Sequence, residues 1–138
     1  MNDIKKIIRS VKYGLKGLRH AYHADKSFRM EVTYGLFIYL AISWMLAPFA
    51  PWELMLYTFS YLLILMVELI NTAFEKMLDK VHPEEHELIA KSKDIAAGAV
   101  LLAFIFAIIV IFILAYTRFA HVMPSALGSM YEIGRAHV

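Results

Sequence analysis

The chain has 138 residues, 60% of them hydrophobic and 19% charged, with a net charge of +2 and a mean hydropathy of +0.58, which is more apolar than an ordinary soluble domain. So small a net charge gives no ground for a nucleic-acid partner. The absence of cysteine excludes disulfides, thiolate nucleophiles and Cys-ligated metals, leaving carboxylates, imidazoles and hydroxyls to carry any chemistry.

From Asp3 to about Tyr22, Ile4, Ile7, Ile8, Val11, Leu15 and Leu18 recur at helical spacing, with Lys5, Lys6, Arg9, Lys12, Lys16 and Arg19 between them. This predicts a basic amphipathic helix on an anionic membrane surface, as residues 1–28. It is not a cleavable signal peptide, which would need a basic tip followed by an apolar run. The run from Val32 to Trp52 carries no charged side chain, enough to cross about 30 Å of hydrocarbon at about 1.5 Å per residue. Pro48 and Pro51 then mark a turn. A second apolar run, Leu54 to Val67, continues in helical register through Glu68, Asn71 and Glu75 to about Leu78. A third, Ile95 to Tyr116, is uncharged, and its Ala96, Ala97, Gly98 and Ala99 are small enough for close helix contact.

The expected fold is therefore all-α and membrane-embedded, with spans at about 30–50, 53–78 and 94–117 inside a unit covering 29–118. Lys and Arg gather before the first span and between the second and third, and the Pro48–Glu53 turn has none. The N-terminus and second loop are thus expected on the cytoplasmic side. Residues 119–138 are a tail whose last seven, EIGRAHV, resemble the translation of a common sequencing adapter and are set aside. Trp44, Trp52, Tyr57 and Tyr116 fall toward span ends and read as interfacial belts.

Glu68, Asn71 and Glu75 are spaced by three and four residues, so they share one face near the cytoplasmic end of the second span. Carboxylates so close to hydrocarbon are costly, and the default inference is a functional site; the alternative is an interhelical polar clasp or charges reaching water at a loop end. Lys93 and Asp94 stand at the predicted start of the third span, where an acid alone would read as a cap. A lysine facing carboxylates suits phosphoryl transfer, with acids holding a hard divalent ion and the ammonium meeting phosphate oxygens. Asp25, Arg29 and Glu31 add two acids and a guanidinium before the first span. No Walker-type glycine loop is present. His20 and His23, like His82 and His86, lack clean metal-ligand spacing. A transporter or scaffold would spread its polar groups through the bilayer rather than gather them at one face.

The stretch VELINTAFEKMLDKVHPEEHELIAKSKDIAAGAVLL, Val67 to Leu102, with KSFRME, Lys26 to Glu31, before it, resembles the small bacterial membrane diacylglycerol kinase and undecaprenol kinase family. The resemblance runs from about Lys5 to Tyr116. It implies a homotrimer in the bacterial inner membrane, phosphorylating a lipid alcohol from ATP with Mg²⁺. By resemblance, Glu68 is the general base and Asn71 its neighbour, and Asp25 and Glu75 hold the metal. Lys6, Tyr13, Asp25, Glu75, Glu84, Glu85, His86, Lys93 and Asp94 border the nucleotide. Ser27, Phe28, Arg29, Met30, Glu31, Glu68 and Ala97 border the lipid. Asp25 stands where the family more often has Glu, Lys6 where it has Arg, and Glu85 where an aromatic is expected. Glu31 resembles the diacylglycerol branch more than the undecaprenol branch.

Overall fold

The computed structural model describes residues 3–81 and 86–136, with side chains through residue 120. Every regular element among the described residues is helical. They are α1 (Asp3–Ala24), α2 (Lys26–Met30), a π-helical turn (Glu31–Gly35), α3 (Leu36–Leu46), α4 (Pro51–Val81) and α5 (Glu87–Ala136).

Helix α1 buries only Ala21. Its Ile4, Ile7, Ile8, Val11 and Leu15 remain 56–64% exposed, an apolar stripe opposite a basic one, as a helix lying in a bilayer interface requires. The helix stops at Asp25, whose backbone is extended and whose side chain accepts a 2.8 Å hydrogen bond from the Phe28 amide. That is an N-cap, and it restarts the chain as α2 in a new direction. Phe28 then anchors the junction, 3% exposed.

From Lys26 the chain is helical without interruption to Leu46, passing through the π turn. Ala47 to Ala50 form the connection, and Pro51 occupies the first position of α4, where its missing N–H costs nothing. Helix α4 and the Glu87–Ala120 part of α5 are each long and apolar enough to cross a bilayer.

Helices α4 and α5 pack antiparallel. Near the middle Ile64 sits against Ala103 and Ala107, and further along Tyr57 and Leu46 close on Val110 and Leu114. The small residues that let the helices approach are thus Ala103 and Ala107, not the expected Ala96–Ala99 group. A Cβ on Gly98 would touch nothing within 4 Å. Trp44, Trp52 and Tyr116 are largely exposed on the apolar surface, but Tyr57 is 4% exposed and belongs to the core, not to a belt. Its hydroxyl donates to the Tyr39 carbonyl at 2.6 Å, while Ser60 donates to the Tyr57 carbonyl at 2.7 Å. Hydroxyls buried at this depth need such partners, because water is not there to supply them.

Helix α5 begins at Glu87 rather than near residue 94, so Asp94 lies within the helix and does not cap it. His86 precedes the first turn and its Nδ1 accepts from the Leu88 amide at 3.2 Å.

Candidate functional site

The periodicity that places Glu68, Asn71 and Glu75 on one face is realised in α4, and tertiary packing adds to it. Glu68 is 5% exposed, Thr72 4% and Asn71 9%. Asn71 Nδ2 donates to Glu75 Oε1 at 3.2 Å, joining two members of the stripe. The junction of α1, α2 and the π turn brings two further acids to it. Glu68 lies within electrostatic range of Asp25 and Glu75, and Glu31 within range of Glu68 and Asp25. Four carboxylates from three parts of the chain thus converge on the end of α4 that leads into the second loop.

Three buried side-chain oxygens here have no hydrogen-bond partner among the described residues: Glu31 Oε2, Asn71 Oδ1 and Thr72 Oγ1. Orphaned buried acceptors beside mutually repelling acids are expensive in a purely structural cluster. They are what a site awaiting a cation, a donor hydroxyl or a phosphate-bound metal would present. Among the described residues no three carboxylate or imidazole groups form a ready-made metal cluster, so an ion would need oxygens from its substrate as well.

The other residues singled out from the sequence divide. Asp25 is oriented by its bond to the Phe28 amide, which leaves its carboxylate at the head of α2. Arg29 turns back toward the end of α1, 3.4 Å from the Tyr22 and His23 carbonyls. Ser27 and Met30 are exposed beside it, Phe28 is buried in the junction, and Ala97 is exposed on α5. Lys6 pairs with Asp3 at 3.5 Å on the first turn of α1, and Tyr13 is 65% exposed on the same helix. Lys93 forms an ion pair with Asp79, near the end of α4, while Asp94 is exposed. Glu84 and Glu85 lie outside the described residues, and His86 is held by its bond to Leu88.

Sequence reasoning missed three features. Asp79, the partner of Lys93, continues the Glu68–Glu75 stripe by four residues and is legible from that spacing. Thr72 is buried next to Asn71. Tyr61 donates from α4 to the carbonyls of Glu31 and Val32 at 3.0 and 3.3 Å, a tie with no signature in composition.

Two grooves reach the cluster from the apolar sides. One, of about 460 Å³ between α4 and α5, is lined by Val67, Asn71, Phe74, Ser92, Ala96 and Ala99. The other, of about 520 Å³ between α1 and α4, is lined by residues that include Gly17, Leu69, Thr72 and Lys76. Asn71 and Thr72 thus join the acidic end to surfaces suited to hydrocarbon.

The family model for prokaryotic diacylglycerol kinase matches residues 12–115. A diacylglycerol kinase of Escherichia coli K12 is 33% identical over 114 residues, 83% of this chain and 92% of that protein. One from Helicobacter pylori is 33% identical over 102 residues, 74% of this chain and 78% of its own. One from Synechocystis is 35% identical over 102 residues, 73% of this chain and 57% of its own. The matched region contains α2 to α4, most of the membrane part of α5 and all four converging carboxylates, and the chain belongs to the prokaryotic diacylglycerol kinase family.

Proposed function

We propose that this chain transfers the γ-phosphoryl group of MgATP to diacylglycerol, giving phosphatidic acid. The observation that carries the reading is Glu68, a buried acid with other acids around it, on the same helix as Asn71 and Thr72, which line the two apolar grooves. A carboxylate held among like charges, with no ion pair among the described residues, is free to accept a proton and suits the role of general base.

In the proposed step Glu68 takes the proton of the lipid's primary hydroxyl as that oxygen bonds to the γ-phosphorus. The bond from phosphorus to the β–γ bridging oxygen breaks, and ADP leaves with that electron pair. The lipid keeps its acyl chains in hydrocarbon and offers only its hydroxyl, through the groove that Asn71 lines. Asn71, tied to Glu75, orients the groups around the base. Ser27 to Glu31, with Ala97, border the lipid. Lys93 and Asp94 on α5, with Lys6, Tyr13, Glu84, Glu85 and His86, border ATP. The Lys93 ammonium would exchange Asp79 for a phosphate.

Mg²⁺ enters as the partner of ATP. Asp25 and Glu75 are hard oxygen donors that would suit it, and Asn71 Oδ1, without a partner among the described residues, adds an acceptor to the same region. Two protein carboxylates completed by phosphate oxygens and water are the usual way such an ion is held, and its contribution is to neutralise charge on the transferring group.

The rod 26–46 would be a third membrane crossing, with α1 on the cytoplasmic face of the inner membrane. The site would be completed in a homotrimer, since a single three-helix chain leaves it open on the apolar sides. The similar proteins are diacylglycerol kinases, which favours diacylglycerol over undecaprenol as acceptor.

The test is transfer of radiolabelled γ-phosphate from MgATP in mixed micelles, offering diacylglycerol and undecaprenol in parallel. Label in phosphatidic acid is the expected result. Label confined to undecaprenyl phosphate would move the assignment to that acceptor, and no label in either lipid from folded protein would overturn the kinase reading.

A further inference from the structure

The π turn at Glu31–Gly35 interrupts an otherwise regular rod, and no proline in or beside it accounts for the change of register. Such turns have identifiable causes and recur at functional sites. Here the cause lies on the neighbouring helix. The Tyr61 hydroxyl of α4 is shared between the Glu31 carbonyl at 3.0 Å and the Val32 carbonyl at 3.3 Å, the first two of the turn. A regular helix spends its carbonyls on its own amides, whereas the wider turn leaves acceptors on its wall.

Tyrosine at this depth needs an acceptor for its hydroxyl, and the turn needs a donor for its displaced carbonyls. Each supplies the other. The fit depends on Gly35, because a Cβ there would stand 3.1 Å from Tyr61 Cε2 and 3.6 Å from its hydroxyl oxygen. Tyr39 fixes the ring from the other side, with ring centroids 4.6 Å apart. The last turn of α1 is tied to the same segment by Tyr22, whose hydroxyl lies 3.2 Å from Thr33 Oγ1.

The residue that heads this turn is Glu31, whose Oε2 is buried without a hydrogen-bond partner among the described residues and which lies within electrostatic range of Glu68. We propose that Tyr61, seated over Gly35, is a positioning residue: by holding the π turn it sets the direction in which Glu31 enters the acceptor side of the site beside Glu68. This rests on the reading of Glu31 as a lipid-side group. Tyr61 acts through the backbone of Glu31 and touches no reacting atom.

The experiment compares wild type, Tyr61→Phe, Glu31→Gln and the double variant, full length in mixed micelles, with lipid and ATP varied separately. Carbonyl ¹³C resonances of residues 31 and 32 are followed by solid-state NMR. In Tyr61→Phe those resonances should move upfield and the apparent KM for diacylglycerol should rise about five- to tenfold, the effect of one hydrogen bond, with the KM for ATP unchanged. The double variant should be no worse than Glu31→Gln. Gly35→Val, which crowds the ring off the carbonyls, should reproduce the change in lipid KM. An active wild type with an unchanged lipid KM in Tyr61→Phe overturns the positioning role alone, as do unmoved carbonyl resonances or an effect that adds in full to that of Glu31→Gln. A folded wild type that transfers to no lipid overturns the kinase reading and this inference with it.

Discussion

Glu53 and Glu68 lie on the same helix and are equally buried, each 5% exposed, yet their surroundings are opposite. Glu53 accepts from the Ala50 amide at 2.8 Å and forms an ion pair with Arg118 of α5. Arg118 also donates from Nε to the Leu46 carbonyl at 3.0 Å and from Nη2 to the Pro48 carbonyl at 2.7 Å. That end of the bundle is a closed clamp, joining the 47–50 connection to both long helices. Glu68 has acids for neighbours, and the groups around it include three buried oxygens without partners among the described residues. A buried acid with its charge and hydrogen bonds satisfied holds a fold together. One left among like charges is costly to keep and marks the place where substrate and metal would bring the missing cations and donors.

The contrast is broken most sharply at Glu68. Glu68→Gln should lower kcat for lipid phosphorylation by about 10²- to 10⁴-fold, the usual contribution of a general base. Nucleotide binding should persist and the thermal midpoint should hold or rise, because a repelling charge is removed. Labelled transfer, equilibrium dialysis of ATP and a melting curve on one preparation separate these effects; lost ATP binding with preserved turnover at saturating ATP would contradict the assignment. Neutralising either of the acids proposed to hold Mg²⁺ should have a smaller effect. Asp25→Asn or Glu75→Gln should raise the Mg²⁺ concentration for half-maximal activity by about tenfold, equivalent to about 1.4 kcal/mol, and a Mg²⁺ titration at fixed ATP reads it.

At the clamp the expected pattern is reversed. Arg118→Ala leaves the buried Glu53 carboxylate without its counter-charge and takes a donor from two carbonyls, so the thermal midpoint in detergent should fall by several degrees while activity per folded molecule stays within about twofold of wild type. Loss of specific activity without loss of stability would show that the two ends are not separable in this way. The smallest effect is expected at Asp79, where Asp79→Asn frees Lys93 from its present partner. The KM for ATP should change by less than about threefold, whereas Lys93→Met should raise it well beyond that; equal effects from the two variants would remove the phosphate-binding role of Lys93.

The stripe of Glu68, Asn71 and Glu75 is legible in the amino-acid sequence because its members lie within one helix, where spacing alone puts side chains on a common face. The extension of α4 through the stripe to about Leu78 is legible for the same reason, whereas the start of α5 at Glu87, seven residues before the expected one, is not. Nor is the role of Arg118. In the sequence it is a lone charge just after the third apolar run, and nothing local to it announces Glu53 or the Leu46 carbonyl as partners. Tyr57 shows the same blindness from the other direction, since an aromatic near a span end looks alike whether it faces lipid or the core.

The pattern of apolar runs, prolines and basic segments therefore determined by itself that the chain is a helical membrane protein with an amphipathic N-terminal helix and an acidic stripe, because these are short-range consequences of periodicity and transfer free energy. Only tertiary structure decided which acids are neutralised and which are left facing one another. It also decided that Asp25 and Glu31 join Glu68, that Ala103 and Ala107 make the close helix contact, and that Tyr61 meets a π turn above Gly35. Those outcomes depend on which atoms of distant segments come within about 3 Å of one another, a distance at which hydrogen bonds form and about which local sequence carries no information.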